Sequence, residues 1–239
     1  MNAQEKKQEI RREMLKKRAA LLPEYIKNTE TDTVPAIMNF LSSAAAAAAE
    51  KAALRAAYDN AGKACCSSTD APHQQASRAP GARRFTVMSY MSYKNEFPTH
   101  ELNKKILEAG FRLILPYTDS DFNIIPCIVN AYEELVASKL GIPEPVPARC
   151  DKAGLSDIDV MLMPGVAFDE RGNRIGFGKG CYDRFIAEGS ADSSARIPLL
   201  AALAYDFQIT DLIPSEKTDM PCQIIITESG MKILKNLPA

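Results

Sequence analysis

Between Asp159 and Ile186 three patterns follow one another, and together they limit what the chain can fold into. Val160-Met-Leu-Met163 is a continuous apolar run of strand length, the mark of a strand buried on both faces. Tyr182, Phe185 and Ile186 stand at i, i+3 and i+4, one face of a helix. Between them Gly176, Gly178 and Gly180 occupy alternate positions beside Arg174 and Lys179. Glycines allow positive φ and a close backbone approach to a ligand. A helix starting just behind the loop adds free N–H groups and a positive dipole end. Two cations and such a loop make a phosphate cradle, which points to a nucleotide or another phosphorylated ligand. Spacing alone leaves a second reading open, a glycine-rich connector whose charges are merely solvated. The loop is not G-x-x-x-x-G-K-[ST], and its third glycine falls one place early for the dinucleotide fingerprint.

The rest of the chain alternates between the same two periods. Strands are expected at Phe85–Met91, Phe111–Pro116, Ile124–Val129, Asp159–Met163, Pro198–Ala204 and Cys222–Thr227. Helices are expected over residues 3–22, at Val34–Leu41, at Thr99–Ala109 with Thr99 as N-cap and Gly110 as stop, at Ala131–Lys139, over 182–188 and over 229–235. Such alternation argues an α/β fold with a largely parallel central sheet flanked by helices. Ligands on such sheets sit at the carboxyl ends of the strands, and the 176–180 loop follows the 159–163 strand. Residues 42–84 stand apart. An alanine run at Ala44–Ala49 leads into a Ser-, Pro- and Gln-containing stretch. Its first part is helical by propensity, and its second buries too little apolar surface to order itself. We read it as a surface-loop insertion within a single domain spanning 1–239.

Composition excludes more than it assigns. A net charge of −1 over 239 residues gives no electrostatic case for nucleic acid as a partner. No apolar run reaches transmembrane length, and the charged N-terminal segment lacks the apolar core of a secretory signal. These features suggest a cytoplasmic chain, with a mitochondrial address as the alternative and a monomer as the default state. Six cysteines form no C-x-x-C pair and read as free thiols in a reducing compartment. With His73 and His100 the only histidines, the chemistry falls to lysine, arginine and carboxylates.

The run Met163-Pro-Gly-Val-Ala-Phe-Asp…Gly172-Asn-Arg-Ile-Gly-Phe-Gly-Lys-Gly-Cys-Tyr-Asp183 resembles the signature of the 5-formyltetrahydrofolate cyclo-ligase (5,10-methenyltetrahydrofolate synthetase) family. Other segments agree in order: Lys7, Arg11 and Arg18 on the opening helix; Met91 to Thr99, containing Glu96; the Gly141-Ile-Pro-Glu-Pro145 turn; and Ala202-Leu-Ala-Tyr205 followed by Ile213-Pro-Ser-Glu-Lys-Thr-Asp219. The resemblance covers nearly the whole chain outside 42–84. It implies a fold related to sugar-phosphate isomerase and CoA-transferase domains. It also implies ATP- and Mg²⁺-dependent conversion of 5-formyltetrahydrofolate to 5,10-methenyltetrahydrofolate, with release of ADP and phosphate, through a phosphorylated formyl group.

Carried over position by position, the resemblance gives Lys7, Arg11, Arg174, Gly176, Gly178, Lys179, Gly180 and Tyr182 to ATP. Arg174 and Lys179 are its catalytic cations. Met91, Glu96, Gly178 and Tyr182 go to the reduced folate, and Asp183 and Asp219 to Mg²⁺. Each has an ordinary alternative: Asp183 suits a helix's first turn, Asp219 a turn, and Met91 and Tyr182 a core. Cys181 stands where the family has a tyrosine, and Gln223 where it has a second acid. These two departures support a competing reading, a non-catalytic folate or nucleotide binder on the same fold. A sugar-phosphate isomerase or CoA-transferase relative is a third reading, resting on fold analogy.

Overall fold

The computed structural model describes residues 2–63, 83–191, 195–216 and 219–234, with residues 55–63 described in backbone only. In chain order the elements are α1 (Ala3–Ala19), α2 (Pro23–Lys63), β1 (Thr86–Met88), α3 (His100–Glu108), β2 (Arg112–Thr118) and β3 (Ile124–Val129). Two short strands follow, β4 (Val136–Ala137) and β5 (Pro143–Glu144), then β6 (Val160–Met163), β7 (Ala167–Asp169), β8 (Arg174–Ile175) and α4 (Cys181–Gly189). The chain closes with β9 (Leu199–Leu203), β10 (Ile209–Thr210), β11 (Ile224–Thr227) and β12 (Gly230–Ile233).

Seven strands form the main sheet in the order β12-β11-β9-β6-β1-β2-β3. The five inner strands run parallel, and β12 and β3 lie antiparallel at the two edges. Alternate side chains feed two separate cores, as a period of two requires. Val87, Leu113, Leu115, Leu162 and Leu203 meet Ile37 and Leu41 of α2 and Leu102 and Ile106 of α3. Met88, Ile114, Met161, Met163 and Leu200 meet Ile186 of α4 on the other face. This is the expected α/β architecture, a mostly parallel sheet covered by helices. Among the described residues, no helix is long and apolar enough to cross a membrane.

Four expectations are corrected. The second helix begins at Pro23, a residue suited to a first helical position, and runs through the alanine run to Lys63. The expected helical propensity of the alanine run holds as far as Lys63, continuous with this helix; the remainder of the insertion, with Cys65, Cys66 and His73, lies outside the described residues. Ala131–Lys139 is not a helix: a single 3-10 turn at Tyr132–Glu134 gives way to β4, whose Val136 and Ala137 pair with Glu144 and Pro143. Residues 229–234 are not a helix either. Gly230, at φ +137°, turns the chain so that β12 pairs with β11 from Thr227↔Gly230 to Ile224↔Ile233. Finally, Cys127 of β3 and Cys150 are joined as a disulfide, with Cα atoms 5.6 Å apart. Backbone bonds from Ile128 N to Asp151 O and from Ala153 N to Pro126 O lay the 150–153 segment beside β3 and bring the sulfurs together.

Leu41 is fully buried, whereas Leu54 on the same helix is 66% exposed. Leu41→Ala is therefore expected to lower unfolding free energy by about 2–5 kcal/mol in urea titration. Leu54→Ala should change it by no more than about 0.5 kcal/mol.

Candidate active site

The carboxyl ends of β1, β2 and β6 open into a cavity of about 440 Å³, where a parallel sheet of this kind binds ligands. All twelve residues singled out in the sequence lie on its wall: Lys7 and Arg11 from α1, Met91 and Glu96 after β1, Arg174 on β8, Gly176, Gly178, Lys179 and Gly180 in the loop, Tyr182 and Asp183 on α4, and Asp219.

The wall next to α1 is cationic and already partly compensated. Lys7 Nζ lies 3.0 Å from Asp219 Oδ2 and 3.3 Å from Glu216 Oε1. Burial works against its charge, but the bonds and charges of Asp219 and Glu216 outweigh burial and move its pKa up. Arg11 Nε donates to Gly176 O at 2.8 Å, and its guanidinium comes within 3.5 Å of where a Cβ would stand at Gly178. Gly178 also has φ +92°, so any larger residue there is strained. Arg174 Nη2 lies 2.8 Å from Asp183 Oδ1, its Nε is buried without a partner among the described residues, and its guanidinium lies 5.7 Å from the centroid of the Tyr182 ring. Lys179 has no ion pair among the described residues; its Nζ rests 4.3 Å from the centroid of the Phe122 ring.

Gly180 caps α4 in the left-handed conformation and supplies no side-chain cap. The first N–H groups of a nine-residue helix are thus left for something else to satisfy. With Arg11, Arg174 and Lys179 around them, they form a site for a polyanion.

The opposite wall is built to hold one carboxylate. Ser92 N donates to Thr99 Oγ1, and Thr99 N returns a bond to Ser92 Oγ, both at 3.1 Å. Thr99 begins α3 as expected, but its hydroxyl is spent on Tyr90 O rather than on the helix N-terminus. The loop so tied carries Glu96, whose Oε2 accepts from Tyr93 N at 3.0 Å and whose carbonyl accepts from Tyr205 Oη. Burial pushes the Glu96 carboxyl up, opposed by the Tyr93 N–H and by the charge of Arg18. Burial likewise pushes the Tyr182 phenol up.

Asp183 and Asp219 share one side of the cavity, and Met220 N reaches Asp183 Oδ1 at 3.3 Å. Each has one oxygen engaged, Asp183 Oδ1 by Arg174 and Asp219 Oδ2 by Lys7 and Glu216 N. Asp183 Oδ2 and Asp219 Oδ1 make no bond among the described residues. Two carboxylates beside a phosphate cradle suit Mg²⁺, which takes one or two protein carboxylates and completes its shell with phosphate and water. Among the described residues no group of three or more His, Cys, Asp or Glu gathers as a self-sufficient metal site.

Of the two departures, Cys181 lines the cavity and Gln223 does not. Gln223 is buried between strands, where its Oε1 accepts from Leu200 N at 2.7 Å. Reasoning from sequence missed Tyr90, Thr118, Glu144 and Phe177, which also line the cavity. Glu144 lies within the Gly-Ile-Pro-Glu-Pro turn and Phe177 within the glycine loop, so those motifs held the signal. Thr118 had none, because its place depends on the register of β2.

The model of the 5-formyltetrahydrofolate cyclo-ligase family matches residues 3–228. The chain belongs to this family. It is 32% identical over 152 residues to 5-formyltetrahydrofolate cyclo-ligase of Escherichia coli K12, covering 63% of this chain and 81% of that protein. It is 42% identical over 163 residues to the Saccharomyces cerevisiae protein of the same name, covering 60% of this chain and 76% of that one. The solved structure of Aquifex aeolicus 5,10-methenyltetrahydrofolate synthetase superposes with a TM-score of 0.66 at 25% identity, covering 98% of this chain and 95% of that chain. The departures at Cys181 and Gln223 therefore occur within a cyclo-ligase framework, and only Cys181 touches the cavity. Gln223→Glu should place a carboxylate where a neutral amide now bonds. The expected cost is about 1–3 kcal/mol, read as a lower thermal midpoint at neutral pH.

Proposed function

We propose that this chain converts 5-formyltetrahydrofolate and ATP to 5,10-methenyltetrahydrofolate, ADP and phosphate. The observation that carries the reading is the gathering of a cationic glycine-loop wall and a buried carboxylate wall around one cavity. The first suits a triphosphate, and the second suits the N–H donors of a pterin.

An amide oxygen is a poor leaving group. In the proposed sequence the formyl oxygen attacks the γ-phosphorus and ADP departs, leaving an iminium phosphate. N10 then attacks the formyl carbon and loses its proton, and the C–O bond breaks to release phosphate and close the ring. Phosphoryl transfer is catalysed mainly by position and charge, which suits a cavity with no histidine among the described residues that line it. Arg174 and Lys179 stabilise the transferring group; Lys7 and Arg11 hold the phosphates from α1. The Gly176–Gly180 backbone and the start of α4 donate to phosphate oxygens. Lys179 gives up only a ring-face contact to reach them. Glu96, Met91 and Tyr182 seat the folate. Mg²⁺, when bound, would be held by Asp183 and Asp219 and would neutralise phosphate charge. Arg174 and Lys7 then keep those carboxylates in place.

We further read residues 1–239 as one cyclo-ligase domain, monomeric and cytoplasmic, with 42–84 an insertion outside the catalytic apparatus. The purified chain, given 5-formyltetrahydrofolate, ATP and Mg²⁺, should develop the absorbance of the methenyl product. Omitting ATP or adding a chelator should abolish it. Lys179→Ala should lower kcat by about 10²–10³-fold. Tight folate binding in calorimetry with no product would instead establish a non-catalytic binder.

A further inference from the structure

Arg18, near the end of α1, is 6% exposed. Its Nε and Nη1 are buried without hydrogen-bond partners among the described residues. Its Nη2 stands 3.8 Å from Glu96 Oε1, close enough for charge attraction but too long for a hydrogen bond. The guanidinium lies 5.6 Å from the centroid of the Phe177 ring, and the Arg18 carbonyl accepts from Asn95 Nδ2 at 2.7 Å. A buried cation with so few bonds costs stability, and an apolar side chain of similar volume would serve packing as well or better. Such unsatisfied groups call for another reason to be kept. Arg18 does not line the cavity, but both side chains it faces, Glu96 and Phe177, do.

We infer that Arg18 is a positioning residue for the folate half of the site. With its guanidinium against Phe177 and its backbone carbonyl tied to Asn95 Nδ2, it fixes the orientation of the Glu96 carboxylate that meets the substrate. This rests on the folate reading above. Arg18 acts through Glu96 and touches neither substrate nor phosphate.

The groups facing Glu96 make the inference testable. Besides Arg18 from α1, these are the Tyr90 phenol beyond β1, the Tyr182 phenol on α4 and the Tyr205 hydroxyl beyond β9, which donates to the Glu96 carbonyl; Glu30, Lys94 and His100 share a second hollow with Glu96. Burial pushes all three phenols up, so they stay neutral while Glu96 titrates. Without Arg18 the Glu96 carboxyl loses the charge that opposes its burial. It then keeps its proton to higher pH than in the wild type, and a protonated carboxyl has less acceptor capacity.

The experiment is a mutant cycle of Arg18→Met, Glu96→Gln and the double variant, with Arg18→Lys alongside. KM for 5-formyltetrahydrofolate and for ATP are read from the methenyl absorbance across pH, together with thermal midpoints. Arg18→Met should raise the folate KM by about tenfold at neutral pH, the loss expected when a charge-assisted bond is misaligned. The ATP KM and the thermal midpoint should hold, and the folate penalty should shrink as pH rises. Arg18→Lys should recover most of the loss. In the Glu96→Gln background Arg18→Met should have little further effect, since the two act as a unit. An equal penalty in both backgrounds would overturn the inference, as would a fallen midpoint with an unchanged folate KM. Should Arg18→Met fail to fold, Arg18→Gln takes its place in the same cycle. A wild-type chain that yields no product overturns the proposed function, and this inference with it. With a wild type that turns over, the cycle tests the role of Arg18 alone.

Discussion

Asp169 is fully buried, and its two oxygens organise the backbone that carries the glycine-loop side of the cavity. Oδ1 accepts from Arg171 N and Asn173 N, Oδ2 from Asn173 Nδ2 and Ile213 N, all between 2.9 and 3.0 Å. The first bonds shape the β7–β8 turn and so aim Arg174. The bond to Ile213 ties that turn to the segment leading to Asp219. A carboxylate can be buried when its lone pairs are filled by N–H donors in this way. The Asp-x-x-Gly-Asn-Arg spacing is thus a folding device: Gly172, at φ +85°, lets the turn close under Cys222 O, and Asn173 completes the ring of donors. The glycine loop and α4 follow from a frame that this one side chain fixes.

The cations of the site are mostly spoken for before any ligand arrives. Lys7 pairs with Asp219 and Arg174 with Asp183, while Arg11 is aligned by a carbonyl. A cluster of like charges would otherwise repel itself in a half-buried cavity. The two aspartates remove that repulsion and hold each cation in one rotamer, so little orientation remains to be lost on binding. Lys179 differs: it is exposed and rests on a ring face, which leaves it the most mobile of the four.

Much of this was legible in the sequence because it is local. Apolar runs such as Val160–Met163 announce strands buried on both faces, and the loop glycines, Arg174, Lys179 and Asp183 all fall on one short stretch of chain. The opening helix and the Glu96 segment were tied to the same site only through resemblance, since no local rule joins Lys7 to Asp219 across 212 positions. The failures share a cause. Val136 and Ala137 became a strand because Glu144 and Pro143 were available to pair, and residues 230–233 because β11 offered an open edge. The Cys127–Cys150 pairing needed the 150–153 segment to run beside β3, which no spacing rule reveals. For α2 the helical propensity of the alanine run was read correctly from sequence, and what was missed was that the helix starts at Pro23 and runs unbroken into that run.

The opening helix is held differently from the others. Only Met14 and Arg18 of α1 are buried, and much of its attachment runs through the site itself, by Lys7 to Asp219, Arg11 to Gly176 O and the Arg18 carbonyl to Asn95. A segment with few buried apolar contacts opens at lower free energy than the core around it. One wall of the cavity is therefore hinged on the very contacts that handle the ligand. The contacts that seat α1 thus join the first element of the chain to residues far along it, Asp219 and Gly176, across the cavity rather than through the core.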